Sequence, residues 1–254
     1  MTNIKPVEKI LISQPYPSNP NSPYFRLAEK WDLKLEFKKF IRVERISLNE
    51  FRKQNINPLD FGAIIFTSKK AVDIFFGLLQ EMRIEMPSDT KYFCVGESTS
   101  KYLQKYIVIR KRKLFVGLRT AMDLKTYITK HKKEKYLFPC SNLHRKELPN
   151  WMQKNKIKIT EAVVYQTVSA DLKDLDMPGY DMVCFFSPSG VKSLLENYPG
   201  YQQGEQRVAV FGPTTAKEAE AKGLRVDVIA PKPNFPSMTA AINEYLKSIG
   251  QSQV

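Results

Sequence analysis

Asp181-Met-Val-Cys-Phe-Phe-Ser187-Pro-Ser189-Gly190-Val191, followed by Val208-Ala-Val-Phe-Gly212-Pro213-Thr214-Thr215, decides the fold. Each stretch is a short apolar run that stops at a serine or a glycine and turns into a helix-forming segment. The arrangement occurs a second time, as Gly62-Ala-Ile-Ile-Phe-Thr-Ser68-Lys69-Lys70-Ala-Val72 and then Tyr92-Phe-Cys-Val-Gly96-Glu-Ser98-Thr99. Ser68 matches Ser187, Gly96 matches Gly212 and Thr99 matches Thr215. Self-similarity of this kind predicts two copies of one architecture. Two like lobes imply a cleft, and a cleft is where a ligand sits.

Working outward, apolar runs alternate with amphipathic ones. Strands are predicted at Ile10–Ile12, Leu33–Phe37, Ala63–Phe66, Tyr92–Val95, Tyr136–Phe138, Lys158–Val164, Met182–Phe186, Val208–Phe211 and Val226–Ile229. Several are apolar throughout, as strands buried on both faces of a parallel sheet are. Between them, Val72, Phe75, Phe76 and Leu79 share one helical face. Thr215–Lys222 is rich in helix formers, with Gly223 as its stop. The expected class is therefore α/β, with two similar parallel-sheet, flavodoxin-like lobes.

The repeat has an unusual phase, because its first copy begins well inside the chain. Lys9–Pro15 with Trp31–Phe37 also resembles Lys135–Cys140 with Asn155–Thr160. The simplest layout inserts one lobe into the other. Residues 44–164 form the inserted lobe, and residues 1–38 plus 170–254 the discontinuous one. The connecting segments 39–43 and 165–169 both hold β-formers and are expected to pair as a two-stranded ladder.

The 254 residues suffice for two ordinary domains, and 43% apolar content suffices for their cores. No apolar run reaches a membrane span of about 20 residues, and Met1–Lys9 does not read as a signal peptide. The expected location is the cytosol. Three separated cysteines and two histidines supply neither a zinc-type spacing nor a Ser-His-Asp triad. Cys94 and Cys184 read as buried hydrophobes. Forty basic against 26 acidic residues give a net charge of +14, which suits an anionic partner. The densest run, Arg110–Lys113, follows apolar Ile107–Ile109 and is expected at a solvent-facing strand end.

Ser68 and Ser187 stand where a strand gives way to a helix, and serine is a good N-cap there. In open α/β sheets ligands bind beyond the carboxyl ends of strands, where helix N-termini offer free N–H groups and partial positive charge. Four such termini suit a ligand with several carboxylates or phosphates. No Walker loop and no Gly-x-Gly-x-x-Gly is present, so a nucleotide cofactor is not indicated.

Phe185-Phe-Ser-Pro-Ser-Gly190, then Gly212-Pro-Thr-Thr-Ala216, then Gly223-Leu and Pro236-Ser237, resembles the uroporphyrinogen-III synthase family. Phe66-Thr-Ser68 with Ala71-Val72, Val95-Gly96 and Thr99 is similar to it too, as is Val164-Tyr-Gln-Thr167. The resemblance implies an enzyme that closes hydroxymethylbilane, a linear tetrapyrrole with eight carboxylates, to uroporphyrinogen III. Water is lost and the last ring is inverted through a spiro intermediate. It implies no metal or organic cofactor, and a monomer with no nucleic-acid or membrane partner. It implies Tyr165 as the acid that assists the departing hydroxyl. Substrate contacts are implied for Ser68, Lys69, Lys70, Gly96, Ser98, Thr99, Ser141, Ser187, Ser189, Gly212, Pro213, Thr214, Thr215 and Ser237. The chain departs from the family pattern at Gln14, where arginine is common, and at Lys70, where asparagine is. No glycine is evident around Leu118–Thr120. One rival reading is a two-lobed binder of a polyanionic metabolite without turnover. A nucleic-acid binder is the other, though it lacks the expected interleaving of exposed aromatics with basic residues.

Overall fold

The computed structural model describes residues 5–108 and 110–253. The readings placed on Met1–Ile4 and on Ile109 lie outside the described residues. Among the described residues, eleven strands and nine α-helices follow in chain order: β1 Lys9–Ile12, α1 Pro23–Trp31, β2 Lys34–Phe37, β3 Ile41–Arg45, α2 Leu48–Arg52, β4 Ala63–Phe66, α3 Lys69–Met82, β5 Lys91–Val95, α4 Glu97–Leu103 and β6 Leu114–Gly117. They continue with α5 Lys125–Lys130, β7 Tyr136–Ser141, α6 Glu147–Lys154, β8 Ile159–Ser169, β9 Met182–Phe185, α7 Pro188–Asn197, β10 Arg207–Phe211, α8 Pro213–Ala221, β11 Val228–Ala230 and α9 Met238–Ser248.

The chain divides into two units, Met1–Arg42 with Val168–Val254, and Val43–Thr167. The first unit is built on a five-stranded sheet in the order β11-β10-β9-β1-β2. Strand β1 pairs with β9, so chain segments far apart in sequence meet in the sheet interior. The second sheet has six strands in the order β3-β8-β7-β4-β5-β6. The pairs whose registers are resolved are all parallel. That explains the uniformly apolar strands: β4 and β9 are buried at every position, with helices covering both faces.

Each helix has a local reason. Ser68 and Ser187 are extended at their N-caps and accept the backbone N–H groups of Ala71 and Gly190, both at 3.1 Å. Pro188 and Pro213 occupy first-turn positions, where no N–H partner is lost. The apolar face of α3 buries Val72, Phe75, Phe76 and Leu79. In the first unit, α7 and α8 pack Val191, Leu194, Ala216 and Ala219 against Val183, Phe185 and Val208.

Three expectations need correction. Strand β6 was not foreseen: Leu114–Gly117 is four residues, only partly buried, at the sheet's outer edge. Arg110–Lys113 therefore does not follow a strand but precedes one, and Lys111–Lys113 forms a 3-10 turn. Val226–Ile229 begins its strand two residues late. The Asp227 carboxylate accepts Val208 N–H (2.8 Å) and Arg225 Nε–H (2.7 Å), which fixes the residues just before the strand. The connecting segments do pair as expected, as β3 beside β8 at one edge of the six-stranded sheet.

Candidate active site

Within the Val43–Thr167 unit, the predicted residues collect at the carboxyl edge of the sheet. Ser68 follows β4, Gly96 follows β5 and Ser141 closes β7. Tyr165 lies on β8 opposite Ser141. The β7–β8 register shifts just there: Cys140 faces Val163 while Ser141 faces Tyr165, so an extra residue is accommodated in β8. A bulge of this kind re-aims the side chain beside it. Asn142 then fixes the bulged strand. Its backbone N–H donates to Tyr165 O (3.2 Å), and its Oδ1 accepts Thr167 N–H (3.0 Å) and the Ser141 hydroxyl (3.0 Å). Sequence reasoning missed Asn142, because its role follows from the register shift.

Gly96 and Gly212 each precede a helix with positive φ, 78° and 89°, a conformation suited to glycine. In the Met1–Arg42 and Val168–Val254 unit, the carboxyl edge carries Gln14 beyond β1, Ser187 beyond β9, Gly212 beyond β10 and Ser237 before α9. A cavity of about 420 Å³ opens there, lined by Gln14, Tyr24, Phe186, Phe211, Ser237 and Thr239 among others. The Phe186 and Phe211 rings stack across it, 6.0 Å apart. A larger cavity of about 620 Å³, lined by Lys5, Tyr198 and Arg207, lies at the opposite strand ends and contains none of the predicted residues.

The side chains divide by what they have left to offer. The Ser68, Ser187 and Ser237 hydroxyls each accept a cap N–H, and a hydroxyl that accepts keeps a proton to donate. Ser98 and Thr214 are exposed, Ser189 and Pro213 lie at first turns, and Lys69 and Lys70 are exposed. Lys69 Nζ sits over the Tyr102 ring at 5.8 Å, and Lys70 Nζ donates to Val43 O at 3.3 Å. Thr99 and Thr215, expected as hydroxyl donors, are only 4% and 1% exposed. Each sits at the third residue of its helix, turned into the packing. Ser141 is also buried, bonded within its own loop to Asn142 and to Leu143 N–H. Gly117, just before Leu118–Thr120, is closely packed: a Cβ there would press on Asp123 and Leu124 at 3.2–3.4 Å.

All three cysteines are reduced and buried. Burial pushes the Cys94 and Cys140 thiols up to about 12, and that of Cys184 upward as well, so these thiols are poor nucleophiles. No helix among the described residues is long and apolar enough to cross a membrane.

Two parallel α/β units, each with serine-capped and glycine-entered helices at the carboxyl edge of its sheet, define a two-unit α/β protein. The chain belongs to the uroporphyrinogen-III synthase family: the family model described as "Uroporphyrinogen-III synthase HemD" matches residues 38–240. It is similar to the uroporphyrinogen-III synthase of Saccharomyces cerevisiae, 29% identical over 219 residues, which span 75% of this chain and 78% of that protein. The synthase of Chlorobaculum parvum is 26% identical over 257 residues, 95% of this chain and all (100%) of that one. Among solved structures, the uroporphyrinogen-III synthetase of Helicobacter pylori aligns with a TM-score of 0.55 at 19% identity, covering 95% of this chain and 99% of that one. The two-unit α/β fold is shared with it.

Proposed function

We propose that this chain converts hydroxymethylbilane to uroporphyrinogen III, as a cyclising lyase of haem biosynthesis. The observation that carries the residue-level reading is the row of strand-end groups in each unit. Capping hydroxyls and helix-start N–H groups are aimed where an open α/β sheet takes its ligand. Eight carboxylates need many donors, and a chain of charge +14 offers them.

The chemistry asks little of side chains. Departure of the hydroxyl leaves an azafulvenium cation, and a pyrrole carbon attacks it within the same molecule. Unassisted closure gives the uninverted product. The protein must therefore hold the chain so that the last ring attacks through its substituted carbon and passes through the spiro intermediate. Positioning and fixed dipoles supply such an effect. Tyr165 is the assigned donor to the leaving hydroxyl. Its half-buried position on a bulged strand, gripped by Asn142, supports that role. Ser68, Lys69, Lys70, Gly96, Ser98, Ser187, Ser189, Gly212, Pro213, Thr214 and Ser237 are assigned to carboxylate binding. Thr99, Thr215 and Ser141 are assigned to shaping the backbone that does so. We read the working form as a cytosolic monomer with no nucleic-acid or membrane partner; sedimentation with and without product checks the first point.

The deciding experiment supplies freshly made hydroxymethylbilane to the purified chain, without added metal or nucleotide, and separates the isomers. Predominantly type III product is expected. Type I alone, at the unassisted rate, rejects the assignment.

A further inference from the structure

Cys140, His144 and Glu161 meet beside the Ser141 loop, and the ring closure uses none of them. Their Sγ, imidazole nitrogen and carboxylate oxygen all lie within 4.8 Å of one another. Cys140 is the penultimate residue of β7, His144 belongs to the loop that follows, and Glu161 stands on neighbouring β8. The spacing gives little warning, because the third residue comes from a different strand.

The histidine is oriented in a particular way. Its Nδ1 is 2.7 Å from Ser141 O. A carbonyl only accepts, so Nδ1 carries a proton and Nε2 is the nitrogen left to face Glu161. Phe138 packs edge-on against the imidazole at 5.4 Å and fixes its plane. Nε2 is buried, has no hydrogen-bond partner among the described residues, and contacts Glu161 Oε2. A cation between Nε2 and that carboxylate, a proton or a metal ion, satisfies both groups.

We propose that Cys140, His144 and Glu161 form a site for a zinc-type divalent ion, with three protein ligands and one open position. Thiolate, imidazole and carboxylate are the ligands zinc takes, and the thiolate disfavours magnesium and calcium. An Nδ1–H donating to a carbonyl is the usual support for a metal-binding Nε2. Lys146 competes with the ion: its Nζ, on a side chain 56% exposed, is 2.5 Å from Glu161 Oε2 and must leave that oxygen. Binding forms an Sγ–metal bond as the Cys140 thiol releases one proton to solvent, with no change of oxidation state. The ion takes no part in the ring closure. It ties β7, its loop and β8 together around Asn142, and so adjusts the strand that carries Tyr165.

The test titrates the full chain, dialysed against chelator, with Co2+ as a stand-in for zinc. One equivalent should produce a near-ultraviolet thiolate charge-transfer band and the intense visible bands of a four-coordinate ion, and Zn2+ should displace both. Cys140→Ser should abolish the charge-transfer band. Glu161→Gln should weaken Co2+ binding at least about tenfold, whereas Lys146→Ala should tighten it about tenfold by removing a neighbouring positive charge. Should Cys140→Ser fail to fold by circular dichroism, the two outer variants decide alone. A proton alone bridging His144 and Glu161 predicts no charge-transfer band in the native chain or in Lys146→Ala, and that result overturns the proposal. So does a band that survives in folded Cys140→Ser. Neither readout involves turnover, so the isomer assay stands or falls separately.

Discussion

Tyr165 and Asp181 show how differently one side chain can matter. Tyr165→Phe removes only a hydroxyl. If that hydroxyl assists the leaving group, turnover falls at least about tenfold while apparent affinity stays within about twofold, because the interaction belongs to the transition state. Steady-state kinetics with type III quantification reads the split, and equal losses in both parameters would reassign Tyr165 to binding. Asp181 holds structure instead. Its carboxylate takes Lys5 Nζ at 2.7 Å and the backbone N–H groups of Glu8 and Lys9 at 2.9 and 3.0 Å, tying the entry of β1 to β9. Burial opposes its charge, yet those donors hold it below the usual carboxylate range. A group depressed in the folded state contributes above its unfolded value, about 3.9, and that contribution disappears as pH falls through the folded one. Asp181→Ala should cost about 2–6 kcal/mol at pH 7, since two backbone donors lose their acceptor at about 1–3 kcal/mol each. The deficit should shrink below about pH 4 in denaturant titrations, and a deficit independent of pH would remove the charge from the account.

At the level of elements, what the sequence discloses depends on the kind of force involved. Central strands such as Ala63–Phe66 are legible because both faces are buried and every residue must be apolar. Capped helix starts are legible because Ser68 and Ser187 meet a local need for an acceptor. Edge strand β6 is obscured by its partial exposure, and the Tyr165 bulge by its dependence on pairing with β7. Asn142 and the Cys140–His144–Glu161 cluster are hidden for the same reason: each is a product of strand register. The inward turn of Thr99 and Thr215 depends on helical phase, which a two-residue motif does not reveal. Glycine entry to a helix is a firmer signal. Gly212 has φ 89° and ψ 149°, with nothing within 4 Å of a built Cβ. Gly212→Ala is thus a pure backbone test, expected to cost about 1–3 kcal/mol through strain or to reshape the start of α8. Differential scanning calorimetry paired with the isomer assay reads both, and an unchanged melting temperature would show that the turn relaxes freely.

The whole molecule is governed by the insertion of Val43–Thr167 between two parts of the other unit. That inserted segment carries four of its six strands whole, β4 to β7, with most of β3 and β8, and closes its own apolar clusters, around Phe66 and Phe75 and around Phe93 and Tyr136. Expressed alone as residues 43–167, it should fold, giving dispersed amide resonances and a cooperative melt. A molten spectrum would mean that it needs the rest of the chain. Unit 1 has the opposite character, because β1 pairs with β9 across 172 positions, from Lys9 to Asp181. That separation has a consequence during biosynthesis. A ribosome adding about 5–20 residues each second releases β1 and β2 roughly 10–30 s before β9 exists. For that interval the apolar edge of Ile10–Ile12 is unpaired in the nascent chain while the inserted unit is being completed. The first-made strands are thus among the last to be satisfied, and a holding chaperone has its natural client there.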